Sequence, residues 1–232
     1  METNFLSKYL FARFSDELYE PPPDHKGMVV TVSRDTGCDG VPIVEEVVRQ
    51  LNKDLKGINK KHPWRYVSKE ILEKSAKRLN VKPEIFEKWI HAKDRSVVED
   101  IILSFSKESY PSNFKIKKTL KAVIESVANE GAVIILGRAG VALVNHNKRN
   151  LHIKLTAPLQ WRIEKIAKEY NVSLDKAKKH ILYADKQRDD LKHYYMGRKV
   201  QFTDFDVMLN TSTLTKKEIC SAIISMVDNK SL

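Results

Sequence analysis

Gly27-Met28-Val29-Val30-Thr31-Val32-Ser33-Arg34-Asp35-Thr36-Gly37-Cys38-Asp39-Gly40-Val41-Pro42-Ile43 begins with an apolar, β-branched run and passes through two glycines into a helical pattern. Met28 to Val32 is apolar on both faces, which predicts a buried strand of a parallel sheet. From Val41 to Leu55 the residues Ile43, Val44, Val47, Val48 and Leu51 recur at helical spacing, and Pro42 falls in the first turn, where its missing N–H is tolerated. Strand, glycine loop and helix N-terminus together form an arrangement suited to phosphate. Backbone N–H groups converge there, the helix dipole adds positive potential, and glycine lets the backbone approach an anion. The consensus Gly-x4-Gly-Lys-Ser/Thr is not met, because Val41 and Pro42 stand where the lysine and the hydroxyl are expected. Taken alone, the loop reads more readily as an ordinary tight turn between a strand and a helix.

Working outward, four further strands are predicted: Arg65 to Val67, Ala132 to Leu136, Leu151 to Leu155 and Asp206 to Leu209. Between them lie a helix from Lys115 to Asn129 ended by Gly131, one opened by Pro158 and running to Tyr170, and one capped by Ser173 and running to Tyr195. Thr215 and Glu218 form a capping-box pattern before a final helix. Strands alternating with helices predict a three-layer α/β fold, with a parallel sheet covered on both faces. Residues 68–114 read as mostly helical with a break near Pro83, an insertion within the main domain at 27–232. The first 26 residues stand apart. Residues 4–19 form an amphipathic pattern that would pack on the domain or on a second subunit as a homo-oligomer contact, and Pro21-Pro22-Pro23 makes a stiff connector.

The chain has 232 residues, of which 42% are hydrophobic, enough for a real core. A net charge of +11 points to a polyanionic partner or to a lysine-rich solvated surface. The 2 cysteines, Cys38 and Cys220, cannot build a disulfide framework, and a reducing cytoplasm suits them. No apolar run approaches the roughly 20 residues of a membrane span, so a cytoplasmic location without a span is expected. A basic nucleic-acid-binding domain is the third functional reading and ranks last, since the sequence carries no recognised nucleic-acid motif and no aromatic stacking platform.

Two more groups carry candidate chemistry. Gly137-Arg138 follows a buried strand, at the carboxyl end where open α/β sheets bind ligands, and an arginine there suits bidentate contact with phosphate. Asp185 and Arg188 lie one helical turn apart on a basic helix, and Arg162 precedes them on the helix after the Leu151 strand.

Taken together, these blocks resemble the cytidylate kinase-like family of P-loop nucleoside monophosphate kinases. The resemblance rests on Val30-Thr31-Val32-Ser33-Arg34 with Thr36-Gly37-Cys38-Asp39-Gly40, on Tyr66 to Leu72, on Ile134 to Gly140, on Ala157 to Ile163, on Asp185-Lys186-Gln187-Arg188, and on Phe205 to Thr211. It implies transfer of the γ-phosphoryl of ATP to CMP or a related nucleoside monophosphate, with Mg²⁺ accompanying ATP. By the same resemblance, Thr36, Gly37, Cys38, Asp39 and Gly40 would cradle the ATP phosphates, with Arg34 as a substitute cation. Arg138 would hold the acceptor phosphate, and Arg162 and Arg188 would neutralise the transferred group. Asp185 would orient the arginines or bind through a magnesium-coordinated water. A lid is expected at about 173–204. The alternative within the family is a nucleotide binder that no longer catalyses transfer.

Overall fold

A computed structural model describes residues 27–53, 63–80, 82 and 113–230. The five expected strands are all present: β1 (Val29–Arg34), β2 (Arg65–Val67), β3 (Val133–Leu136), β4 (Leu151–Thr156) and β5 (Val207–Asn210). They form one parallel sheet in the order β2-β3-β1-β4-β5. The helices are α1 (Gly40–Lys53), α2 (Lys69–Arg78), α3 (Asn113–Asn129), the short α4 (Gly140–Leu143), α5 (Leu159–Tyr170), α6 (Leu174–Met196) and α7 (Lys216–Lys230). Sequence reading did not foresee α4, whose four residues are too few to show a period. The amphipathic pattern at 4–19 and most of the insertion at 68–114 lie outside the described residues.

Alternation along the strands builds the three layers. Val29, Val133 and Ile135 face one way, onto Ile116, Leu120, Val123, Ile124 and Val127 of α3 and Leu191 of α6. Val30, Val32, Ile134, Leu136, Ile153 and Leu155 face the other, onto Ile43, Val44 and Val47 of α1 and Ile219, Cys220 and Ile223 of α7. Both faces are thus covered, which is why β1 and β3 read as nearly continuous apolar runs. The caps stand where they were read. Ser173 accepts the Lys176 N–H at the start of α6. The Thr215 N–H donates to Glu218 while the Glu218 N–H donates back to the Thr215 hydroxyl, opening α7. No helix among the described residues is long and apolar enough to cross a membrane.

Register places the site. Val32 pairs with Leu136 and Arg34 with Leu155, so the carboxyl ends of β3, β1 and β4 finish side by side. The chain passes from β1 to one side of the sheet and later returns to the other, and at such a reversal a crevice opens above the strand ends.

A buried histidine on β4 makes stability depend on pH. Thr31 Oγ1 and His152 Nδ1 are 2.8 Å apart, His146 stacks on the His152 ring at 4.1 Å, and the imidazole is buried beside the Asn145 backbone. Burial, and then the neighbouring His146, push the His152 imidazole down to about 4, against the opposing pull of Asp206. The folded state therefore holds His152 neutral, whereas the unfolded chain takes up the proton near the ordinary histidine value of about 6.5. This contribution is fully present above that value and is lost as pH falls from about 6.5 towards 4. Urea denaturation should show a loss of about 1–2 kcal/mol between pH 7 and pH 5. His152→Asn should remove most of that slope, and an unchanged slope in the variant would assign it elsewhere.

Candidate active site

The loop between β1 and α1 is tied down from both sides. The Asp35 N–H donates to the Leu155 carbonyl at 3.0 Å, and the Cys38 N–H donates to the Asp35 carbonyl at 3.1 Å. The Asp35 carboxylate receives Lys154 Nζ at 2.6 Å and the Thr156 hydroxyl at 2.6 Å. Burial pushes that carboxyl up, but the hydrogen bond and charge of Lys154, with help from Thr156 and Arg162, outweigh it and leave the group below the usual carboxylate range. Lys165 of α5 donates to the Gly37 carbonyl at 3.1 Å and forms an ion pair with Asp39. Among the described residues, the N–H groups of Gly37, Asp39 and Gly40 have no acceptor. They remain available at a helix N-terminus, where an anion is favoured.

Asp185, far along the chain on α6, reaches into this loop. Its Oδ1 accepts the Thr36 N–H at 2.8 Å, the Thr36 hydroxyl at 2.7 Å and Arg188 Nη1 at 3.2 Å, while its Oδ2 accepts Arg162 Nη1 at 2.7 Å. Arg162 is buried and also donates to the Ala157 and Thr36 carbonyls. Arg188 Nη1 donates as well to the Thr36 hydroxyl at 2.6 Å. These bonds clamp α5 and α6 onto the loop. Three of the four donors fall on Oδ1 and one on Oδ2, so the carboxylate ties the loop to both arginines. Among the described residues no group of three or more His, Cys, Asp or Glu side chains is placed to hold a metal.

The cations form a second feature. A Cβ added to Gly40, the first residue of α1, would lie 2.6 Å from Arg34 Cδ, and one added to Gly137 would lie 2.9 Å from Arg34 Nη1. Arg34 therefore fills the space that a side chain on residue 40 would take, and its guanidinium ends beside Gly137. A cation from the end of β1 thus stands beside the glycine loop. Burial, and then the charges of Arg188 and Arg138, pull the Arg34 guanidinium down to about 10. Three guanidinium groups thus share one crevice, and no carboxylate among the described residues pairs with Arg34. Next to them Gly137, Arg138 and Ala139 have φ of 74°, 54° and 56°, a left-handed run that costs a non-glycine residue roughly 1 kcal/mol or more. That run turns the chain sharply from β3 into α4 and brings Arg138 to the crevice.

The structure thus gathers Arg34, Thr36, Arg138, Arg162, Asp185 and Arg188 around the loop. Cys38 is different. Its side chain is buried in the apolar layer with Ile43 and Leu209, and only its backbone belongs to the loop. Burial pushes its thiol up, away from reactivity. Sequence reading missed Lys165 and Lys154. Lys165 lies three residues after Arg162 on the same helical face, a spacing that marks it as a neighbour. Lys154 carries no such signal, because its partner Asp35 is distant in sequence.

The model of the cytidylate kinase-like family matches residues 29–213 of this chain. The cytidylate kinase of Sulfolobus acidocaldarius is 29% identical over 122 residues, covering 52% of this chain and 66% of that protein. The uronate isomerase of Corynebacterium glutamicum is 20% identical over 146 residues, covering 62% of this chain and 28% of that protein. The chain therefore spans between 28% and 66% of the length of these curated relatives. A solved structure of an uncharacterized protein from Eubacterium ventriosum superposes with a TM-score of 0.61 at 16% identity, over 88% of this chain and 99% of that one, and so shares the fold. The matched span runs from the first residue of β1 past the end of β5 and takes in every part of the loop, the arginine cluster and the Asp185 clamp: the chain belongs to the cytidylate kinase-like family.

Proposed function

We propose that this protein transfers the γ-phosphoryl of ATP to a nucleoside monophosphate, with CMP, the acceptor that names the family, as the first candidate. The observation that carries the reading is the convergence of Arg34, Arg138 and Arg188 on a loop with unused N–H donors, where burial and mutual repulsion pull the Arg34 guanidinium down. Guanidinium groups this close together, with no carboxylate among the described residues paired to Arg34, are suited to a multiply charged phosphate ligand. Phosphoryl transfer asks a protein mainly for positioning and for neutralisation of charge. Arg34 and the loop N–H groups would hold the donor phosphates, Arg138 the acceptor phosphate, and Arg188 the group in transit. Arg162 and Asp185 would keep Arg188 and Thr36 in place. Mg²⁺ would arrive chelated to ATP and supply further neutralisation. Among the described residues no group of three or more His, Cys, Asp or Glu side chains would hold it, and no step is assigned to it.

The test is radiolabelled transfer from ATP to CMP, dCMP, UMP, AMP and GMP at high protein concentration, in a preparation shown calorimetrically to bind ATP. Labelled diphosphate from at least one acceptor is expected. ATP binding without transfer to any of them would overturn the kinase reading. It would leave a nucleotide-binding member of the family that does not catalyse transfer, a reading favoured by Val41 and Pro42 in place of the phosphate lysine and the hydroxyl.

A further inference from the structure

Holding phosphates would employ the N–H groups of Gly37, Asp39 and Gly40 and asks nothing directly of the Thr36 hydroxyl. That hydroxyl is nonetheless set up in detail. It points its proton at Asp185 Oδ1 at 2.7 Å and receives Arg188 Nη1 at 2.6 Å. A hydroxyl has one proton and two lone pairs. The proton and one lone pair are engaged, and one lone pair remains. A hydroxyl hydrogen-bonded to a carboxylate, with a guanidinium beside it to receive charge, is the constellation of an activated nucleophile. It lies on the loop whose unused N–H groups would hold the phosphates, next to the arginine cluster.

We propose that Thr36 is a self-phosphorylation site, modified by the ATP bound in its own loop. The proposal rests on the ATP-binding reading above, but not on transfer to a nucleoside monophosphate. Thr36 Oγ1 attacks the γ-phosphorus. The Oγ1–Pγ bond forms as the bond from Pγ to the bridging oxygen breaks, and that electron pair leaves with ADP. The hydroxyl proton passes to Asp185 Oδ1 and from there to water. Arg188 lies against the attacking oxygen, and Arg34 stands close enough to Arg188 and Arg138 to feel both charges. The product is a phosphothreonine that has no proton to donate to Asp185 and adds negative charge beside that carboxylate. It also occupies the space of a terminal phosphate, so the modified protein loses ATP affinity and the loop loses its bond to α6.

The test incubates the full chain with γ-labelled ATP and Mg²⁺ in the absence of acceptor, followed by tryptic digestion and mass analysis of the peptide spanning residues 35–49. Label on that peptide is expected, at a first-order rate independent of protein concentration. Thr36→Ser should retain the label and Thr36→Val should lose it. Asp185→Asn should slow labelling about 100-fold or more, the scale of a lost general base. Four results would overturn the proposal: no label on the peptide, label that persists in Thr36→Val, label that vanishes in Thr36→Ser, or a rate that rises with protein concentration. Calorimetry on the same preparation separates the two readings. ATP binding and transfer to CMP without label on Thr36 sinks this inference alone, whereas absence of ATP binding sinks both.

Discussion

Arg34→Met is expected to raise the melting temperature of the ligand-free protein while it weakens ATP binding. The two effects have one cause. Arg34 is held among Arg138 and Arg188, and its guanidinium is pulled down to about 10 by burial and by those two charges. A cation in that position opposes folding at pH 7, because the unfolded chain holds the same charge in water. Partial access to water screens the repulsion, which leaves a cost of about 1–2 kcal/mol that the variant would recover. For a chain of this length that is a rise of about 2–8 °C. Methionine keeps the aliphatic stem that packs against Gly40, so no cavity opens there. ATP, however, loses a charge-assisted contact of about 1.5–3 kcal/mol, or about 10–150-fold in affinity, and transfer should fall at least as far. Opposite signs for stability and for binding mark a residue kept for its ligand rather than for the fold. A variant that melts lower and binds ATP as well as the parent would show that Arg34 is structural.

Asp185→Ala is expected to lower both stability and activity. It removes the acceptor of the Thr36 N–H, the Thr36 hydroxyl, Arg162 and Arg188 at once. Arg162, 8% exposed, keeps two carbonyl acceptors but loses its counter-charge. Removing one partner of a buried ion pair costs about 3–5 kcal/mol, and the partial exposure of Asp185 moves the expectation to about 2–4 kcal/mol. The melting temperature should fall by about 4–16 °C. Transfer should fall by about 100-fold or more, because Arg188 and the loop are no longer held together. Asp185→Asn, which keeps the shape and one acceptor oxygen, should lie between the parent and the alanine variant. An alanine variant with an unchanged melting temperature would show that the clamp does not tie α6 to the loop.

The fold class was legible in the sequence because it is a property of periodicity. Val29 to Val32 and Val133 to Leu136 are apolar runs with residues in both core layers, as a sheet covered on both sides requires, Leu151 to Leu155 alternates apolar and polar residues, and the helices between them carry 3.6-residue stripes with caps at Ser173 and Thr215. The identity of most residues at the crevice was legible too, since Arg138, Arg162, Asp185 and Arg188 stand at strand ends or on helices that follow them. What each does was not. The sequence shows a consensus missing its lysine. The tertiary structure shows Arg34 lying against Gly40 with its guanidinium beside Gly137, because parallel register ends β1 next to β3 and the left-handed run at 137–139 folds the next turn back. Asp185, open in the sequence to a metal-linked role, receives four donors from three separate segments. Cys38 points into the core, and Lys154 and Lys165 enter the loop from β4 and α5. A linear pattern records which face a side chain occupies within its own element. Which group meets which across elements is set by register, crossover and packing, and the Thr36–Asp185–Arg188 contact exists only once the chain has crossed the sheet and returned.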